Sequence, residues 1–144
     1  EVGETSLRAL RQGFNSTVLA YGQTGAGKSF SMEGPANNKG LVPRIFQRAF
    51  ELFSGDGDIK SFEISLQFFE LYNEQLQDLL NERKPVDVTA DPAGGYVCKN
   101  GSKVVVTSAQ DAEQVYAAGR AKRDTNANQA RSHGVVLLTI SWVE

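Results

Sequence analysis

The stretch that decides the fold is Gly22-Gln23-Thr24-Gly25-Ala26-Gly27-Lys28-Ser29. It fits the nucleotide-binding pattern G-x-x-x-x-G-K-[S/T] at every fixed position. The apolar run at residues 17–21 comes directly before it, as expected of a buried strand that leads into such a loop. The strand pattern, the loop motif and the start of the next helix all fit a nucleotide-binding loop. This disfavours the alternative, a glycine-rich turn with a chance lysine.

The residue types of this loop explain the chemistry that it predicts. Glycine at positions 22, 25 and 27 lets successive backbone N–H groups turn inward and form a concavity that binds anions. The start of the following helix adds partial positive charge. We expect Lys28 to reach the β- and γ-phosphates of a nucleotide and the Ser29 hydroxyl to ligate Mg²⁺.

Length and composition set limits on the class of protein. The chain has 144 residues and a net charge of 15 − 17 = −2, which gives no overall attraction to nucleic acid or to an anionic membrane. The apolar run at residues 135–138 is far too short to span a bilayer. Cys98 is the one cysteine, so an intrachain disulfide is excluded and a reducing compartment fits. The first residue is not Met and the last strand has no cap, so we expect a fragment.

The order of helical and strand patterns predicts the fold class. Helical spacing or capping signals occur at residues 1–13, from 28, from 43 and from 108, and strand patterns occur at residues 17–21, 61–73 and 135–143. Residues 73–80 are predicted to form a short helix or turn. This alternation predicts an α/β, three-layer P-loop NTPase fold with a central mixed, mostly parallel sheet, truncated at both ends.

Residues 13–29, GFNSTVLAYGQTGAGKS, closely resemble the phosphate loop of kinesin motor domains, G-[YF]-N-x-T-[VI]-x-A-Y-G-Q-T-x-x-G-K-[ST]. Five more segments resemble that family in its own order, at residues 31–34, 40–44, 70–80, 91–95 and 131–133. Six ordered segments cover nearly the whole chain, so residues 1–144 are identified as a partial kinesin-like motor domain. Myosin fits less well, because its loop flank and the end of its first switch differ.

The resemblance implies ATP and Mg²⁺ as cofactors. The implied nucleotide-binding residues are Gly22, Gln23, Thr24, Gly25, Ala26, Gly27, Lys28, Ser29 and Phe30. Ser29 is the implied metal ligand. The Phe30 side chain either stacks near the adenine or packs as helix core, and the sequence leaves both open.

The resemblance also implies a first switch at residues 123–133, which closes on the γ-phosphate. Asn126 and Arg131 match its motif N-x-x-S-S-R-S-H, and with Lys28 they are the implied catalytic residues. Arg131 matches the arginine that pairs with a glutamate of the second switch. Glu70 and its neighbours Tyr72 and Asn73 are interpreted as fold-defining rather than catalytic, and His133 as structural.

Two positions depart from the family pattern. Gln129 and Ala130 stand where the family has two serines, which help to hold Mg²⁺ and to position the attacking water. Ala130 has no side-chain oxygen. Losing one well-placed donor costs roughly 100-fold in rate, so we expect near-normal ATP binding and slowed hydrolysis.

The predicted function is that of a fragment of an ATP-dependent microtubule motor in the cytoplasm, on the microtubule cytoskeleton. The predicted partner is tubulin, contacted mainly through segments not in this chain, and no nucleic acid or membrane is expected to bind. Lys99 and Lys103 either contact tubulin or serve as solubilising charges.

The second switch is expected after Val143, because the D-x-x-G at residues 91–94 is interpreted as a hairpin. The alternatives are a kinesin-like protein with impaired hydrolysis and an unrelated P-loop ATPase or GTPase.

Overall fold

The computed structural model describes residues 1–144 and is α/β. Its elements are the helices α1 (Val2–Arg11), α2 (Lys28–Met32), α3 (Leu41–Ser54) and α4 (Ala109–Asp124), the 3-10 turn Gln129–Arg131, and the strands β1 (Ser61–Tyr72), β2 (Gln75–Asp78), β3 (Lys84–Ala90), β4 (Tyr96–Lys99), β5 (Val104–Val106) and β6 (His133–Val143). The chain forms two compact units. Unit 1 is Glu1–Phe62, Ser108–Glu113 and Ile140–Glu144, and unit 2 is Glu63–Thr107 and Gln114–Thr139.

Unit 1 is built on the packing of α1 against α3. The helical spacing of Phe46, Ala49 and Phe53 places all three on one face of α3, and all three are buried. The Phe53 ring also contacts Trp142, with ring centroids 5.4 Å apart. The predicted helix is confirmed, although it begins at Leu41 rather than at Pro43.

Unit 2 contains a meander of short antiparallel strands. Asn73 and Glu74 form the two-residue turn between β1 and β2, with φ values of 49° and 61°. Two successive residues with positive φ match the twist of a tight hairpin. The expectation of a helix or turn over residues 73–80 is therefore wrong for residues 75–78, which form β2, and residues 79 and 80 lie in the turn that follows.

The predicted sheet type is wrong. The strands form one six-stranded sheet, in the order β4-β3-β2-β1-β5, with β6 also paired to β1. The four pairings along that order are antiparallel, so the sheet is not mostly parallel. The reason lies in the connections: β1 to β4 follow one another through two- to five-residue turns, whereas a parallel pair needs a crossover of a dozen or more residues.

The predicted strand before the nucleotide loop is also absent. Residues 17–21 form no regular secondary structure, and Leu19 and Tyr21 are 80% and 94% exposed. An apolar run becomes a strand only when its backbone groups find a ladder partner, and no strand of this chain pairs with it. Strand β6 is confirmed but begins at His133 rather than at Val135, and none of its residues is fully buried, contrary to the expected central position.

Strand β1 is buried on both faces. Its pattern alternates apolar and polar residues, which predicts one exposed face, yet every residue from Ile64 to Glu70 is buried. Helix α4 covers this strand at Phe68, whose ring stacks on Tyr116 with centroids 5.1 Å apart. A Cβ atom added at Gly119 would collide with the Phe68 ring, so glycine is what lets this helix approach so closely.

No helix of the chain is both long enough and apolar enough to cross a bilayer.

The close approach of α4 to the Phe68 ring at Gly119 gives a stability prediction. Gly119→Ala should lower the free energy of unfolding by about 1–3 kcal/mol, because a methyl group is forced into a packed core. That cost outweighs the gain in helix propensity, which is at most about 1 kcal/mol. Urea denaturation followed by circular dichroism measures the difference. Gly57→Ala is the matched control, because a Cβ atom there meets nothing within 4 Å. A Gly119→Ala protein as stable as the wild type would contradict the packing described.

Candidate functional site

The nucleotide loop, residues 22–29, lies in unit 1 and exposes its backbone. Gly25 and Gly27 have φ values of 83° and 89°, a conformation that side-chain-bearing residues rarely adopt. Residues 22–27 and Ser29 are all exposed. A loop of this kind presents backbone N–H groups with no Cβ atom in front of them, so the residues present fit a phosphate group.

Lys28 lies across the mouth of this loop. Its ammonium donates to the carbonyl oxygens of Gly22 and Gln23, at 2.6 and 2.7 Å. Both acceptors are neutral and no carboxylate pairs with Lys28, so its positive charge is not neutralised by the protein. An ammonium in this position is suited to bind a phosphate oxygen. Helix α2 has only five residues, so its dipole adds little.

Phe30 lines an open groove of about 270 Å³ beside the nucleotide loop. The other lining residues are Ser31, Asn38, Lys39, Gly40, Leu41 and Arg44. Phe30 is 60% exposed, so the alternative that it packs as helix core is wrong. An exposed aromatic face next to a phosphate cradle is available to stack on a planar base.

Residues 123–133, which the resemblance predicts to be the first switch and which are called the switch segment below, lie in unit 2 and are held by a carboxylate from β1. Asn126 Nδ2 donates to Glu70 Oε2 at 3.0 Å, and Ser132 Oγ donates to Glu70 Oε1 at 2.6 Å. Glu70 is 0% exposed. The two predicted site residues of the segment thus differ: Asn126 is bonded to Glu70, whereas Arg131 is exposed and makes no side-chain hydrogen bond or ion pair.

Two arginines neutralise Glu70. Arg83 Nη1 donates to Glu70 Oε2 at 2.5 Å, and Arg123 Nε lies 3.7 Å from Glu70 Oε1. Burial alone raises the pKa of Glu70, but the hydrogen bonds from Ser132, Arg83 and Asn126 outweigh it, so the pKa lies below the usual 4.5. Glu70 is therefore a charged, fully satisfied acceptor at neutral pH.

Sequence reasoning gave Glu70 a role in the fold but missed its contact with the switch segment. A signal was present, because Glu70 is in phase with Ile64, Leu66 and Phe68 on the apolar side of β1. A carboxylate on a core-facing side must find positive or hydrogen-bonding partners. Its partners, however, come from positions 83, 123, 126 and 132, which no local pattern connects to it.

The two departures from the family pattern lie in the 3-10 turn Gln129–Arg131. Gln129 Nε2 donates to Asp124 Oδ1 at 2.7 Å, so its amide nitrogen is used within the segment. Ala130 is exposed. A serine at position 130 would thus add a hydroxyl group without displacing buried atoms.

The D-x-x-G stretch at residues 91–94 is a turn. Gly94 N donates to the carbonyl oxygen of Asp91 at 2.9 Å, and Ala93 N donates to Asp91 Oδ1 at 3.0 Å. The stretch joins β3 to β4, so the prediction of a hairpin is confirmed. His133 is the exposed first residue of β6.

Comparison with known proteins agrees with this geometry. A family model described as the kinesin motor domain matches residues 1–144. The chain belongs to the kinesin motor domain family. It is 35% identical to the human kinesin-like protein KIF13B over 97% of this chain and 8% of that protein. It is also 35% identical to Arabidopsis thaliana KIN-1 over 93% of this chain and 31% of that protein, and to Xenopus laevis KIF15-B over 99% and 12%. This kinesin-family chain spans under a third of each relative.

The buried carboxylate of this kinesin-family chain gives a pH prediction. Because the folded pKa of Glu70 is lowered, its stabilising contribution is present above about pH 4.5 and is lost as the pH falls through the folded pKa. The free energy of unfolding should fall more steeply from pH 5 to pH 3 in the wild type than in Glu70→Gln. Urea denaturation at several pH values measures both slopes.

That experiment has a control variant, and a second carboxylate that contributes equally to all the proteins compared. Glu63→Gln removes an exposed carboxylate from the same strand and should follow the wild-type slope. Hydrogen bonding from Arg48 lowers the pKa of Glu4 to about 2, so Glu4 adds the same acid sensitivity to every variant. Equal slopes for the wild type and Glu70→Gln would contradict an ionised Glu70 as the anchor.

Proposed function

We propose that this chain is part of an ATP-dependent microtubule motor, in which residues 22–29 bind Mg²⁺·ATP and the full protein hydrolyses it. The observation that supports this most is the loop itself: an exposed backbone cradle with an ammonium at its mouth that no carboxylate neutralises. Membership of the kinesin motor domain family agrees with it.

The residues of the nucleotide loop would divide the binding between them. Backbone N–H groups of residues 24–29 would donate to phosphate oxygens, that of Ala26 after giving up its 3.1 Å bond to the carbonyl oxygen of Gln23. Lys28 would exchange its two carbonyl acceptors for the β- and γ-phosphates. Mg²⁺, when bound, neutralises phosphate charge. The Ser29 hydroxyl is the group of this chain that would hold it, and the exposed Phe30 ring would stack on the adenine.

The switch segment would report the state of the nucleotide. In this proposal Arg131, exposed and without a partner, pairs with a glutamate of a second switch when ATP is bound. Asn126 acts differently, because its side chain is bonded to Glu70 and so shapes the segment. Order–disorder of such a segment is a common way for an NTPase to signal the γ-phosphate.

Tubulin is the proposed partner, and the microtubule cytoskeleton of the cytoplasm the proposed location. Most contacts would come from segments outside this chain. Within it, the hairpin of β3 and β4 carries Lys99, and Lys103 follows in the next turn, where both are exposed. Lysines at such positions complement an acidic surface.

The first test is ATP affinity after Lys28→Ala in the full-length protein. Losing charge-assisted hydrogen bonds to phosphate, worth about 1.5–3 kcal/mol, should weaken ATP binding roughly 10- to 100-fold. Equilibrium titration with a fluorescent ATP analogue in Mg²⁺ measures it. Lys60→Ala is the matched control, because that ammonium donates only to the backbone oxygen of Glu144.

Two results would contradict the proposal. One is a wild-type protein with no measurable affinity for ATP, and the other is equal affinity in the wild type and Lys28→Ala. A preference for GTP over ATP would contradict ATP as the nucleotide of this loop.

A second candidate function is a kinesin-like protein that binds nucleotide and microtubules with impaired hydrolysis. It is favoured by Ala130, which lacks a hydroxyl group, and by Gln129, whose amide nitrogen is bonded to Asp124. Microtubule stimulation of phosphate release separates the two candidates, since only a productive motor shows it.

The same departure predicts a gain of function. Ala130→Ser should raise the steady-state rate of ATP hydrolysis by roughly tenfold or more, because it restores one of the two serine hydroxyl groups that the family pattern has at this point of the segment. The ATP affinity should change less than twofold, since the nucleotide loop carries most of the binding. Ala127→Ser is the control, because it places the same group on another exposed residue of the segment. Equal hydrolysis rates in all three proteins would contradict the assignment.

A further inference from the structure

Arg83 connects three parts of unit 2 through one guanidinium group. It lies in the turn between β2 and β3, at residues 79–83. Its Nη1 donates to Glu70 Oε2 on β1 at 2.5 Å and to Gln77 Oε1 on β2 at 3.1 Å. Its Nη2 donates to the carbonyl oxygen of Lys122, in the last turn of α4, at 2.5 Å. The switch segment begins at the next residue after Lys122.

The backbone of this turn is held in an unfavourable conformation. Glu82 and Arg83 have φ values of 50° and 57°, in the left-handed region that residues with a Cβ atom rarely adopt. No glycine relieves the turn. Outside a two-residue hairpin, two such residues in succession need surrounding bonds to determine their positions. Here these bonds are the three from the guanidinium group and the backbone bond from Arg83 N to the carbonyl oxygen of Asp78, at 2.9 Å.

The acceptor of Arg83 is the same carboxylate that holds the switch segment. Glu70 Oε2 receives both Arg83 Nη1 and Asn126 Nδ2, and Glu70 Oε1 receives Ser132 Oγ. Arg123 Nε, buried and without a hydrogen bond, lies 3.7 Å from Oε1. Without Arg83, Arg123 is the one cation left within 4 Å of this carboxylate, and it makes no hydrogen bond to it.

We propose that Arg83 is a positioning residue for the switch segment. By bonding Glu70 and the end of α4 at once, it fixes both the start of the segment and the carboxylate to which Asn126 and Ser132 are attached. The effect on nucleotide turnover rests on the proposed function. The effect on the order of residues 123–132 does not depend on it.

The test uses the full-length protein and three variants. Arg83→Ala removes the guanidinium, and Arg83→Lys keeps the charge but cannot bond Glu70 and the Lys122 carbonyl in the same forked geometry. Lys122→Ala is the matched control: it removes a neighbouring cation that pairs only with the exposed Glu82, at 3.3 Å. Hydrogen exchange by mass spectrometry, without nucleotide, is read for peptides covering residues 123–132, with peptides of β1 as the measure of global folding.

We expect exchange in residues 123–132 to be roughly tenfold faster in Arg83→Ala, because a hydrogen-bonded charge is lost. Arg83→Lys should be intermediate, and Lys122→Ala should match the wild type. The kcat for ATP hydrolysis should fall roughly tenfold in Arg83→Ala, since misplaced groups slow phosphoryl transfer. The KM and the ATP affinity should stay within about twofold, because the nucleotide loop is unchanged.

Several outcomes would overturn the inference. One is unchanged exchange at residues 123–132 in Arg83→Ala, and another is faster exchange with an unchanged kcat. The same exchange in Lys122→Ala as in Arg83→Ala would also overturn it. If faster exchange in the β1 peptides shows that Arg83→Ala unfolds globally, Arg83→Lys is used instead, and its exchange at residues 123–132 and its kcat are judged in the same way. Failure of the proposed function is a separate result: it is shown by a wild-type protein that binds no ATP, and it needs no variant.

Discussion

The ionised carboxylate of Glu70, buried on the core side of β1, is the constraint on which unit 2 depends. A buried charge is tolerated only when it is paired and hydrogen-bonded. Glu70 draws those partners from the β2–β3 turn and from the switch segment, and the same guanidinium that reaches it also reaches the end of α4. The two carboxylate oxygens of Glu70 need hydrogen-bond donors, and this need therefore sets the conformation of the β2–β3 turn and of the switch segment, which are far apart in the sequence.

The two functional parts of the chain are built in opposite ways. The nucleotide loop takes its shape from adjacent residues: glycines with positive φ, and a lysine that bonds carbonyl groups five and six residues before it. The switch segment takes its shape from long-range contacts to Glu70. A local loop keeps its geometry when distant residues change, whereas the segment is sensitive to any group that reaches its carboxylate. Such an arrangement suits the proposed function, in which the phosphate site stays fixed and the switch segment responds to the nucleotide.

This difference also explains how much the sequence predicted. The existence and type of α1, α3, α4, β1 and β6 followed from periodicity and capping signals, and the predicted start of α4 at residue 108 is confirmed by the bond that Asp111 N donates to Ser108 Oγ. The family followed from ordered motifs. The sheet direction did not, because it depends on which strands pair rather than on their individual patterns. Residues 17–21 were expected to be a strand, yet their backbone finds no partner within this chain. The role of Arg83 was hidden, since nothing in the sequence around it indicates a left-handed turn that points at a buried glutamate.

The most direct measurement of the central claim is the titration of Glu70 itself. Carbon-13 NMR of the glutamate side-chain carboxyl groups, assigned by comparison with Glu70→Gln, follows its ionisation as the pH is lowered while the protein stays folded. The Glu70 resonance should titrate below pH 4.5, and Ser132→Ala should move its pKa upward by removing a donor. A Glu70 that titrates at or above its ordinary value, or does not respond to Ser132→Ala, would show that this carboxylate does not hold the switch segment.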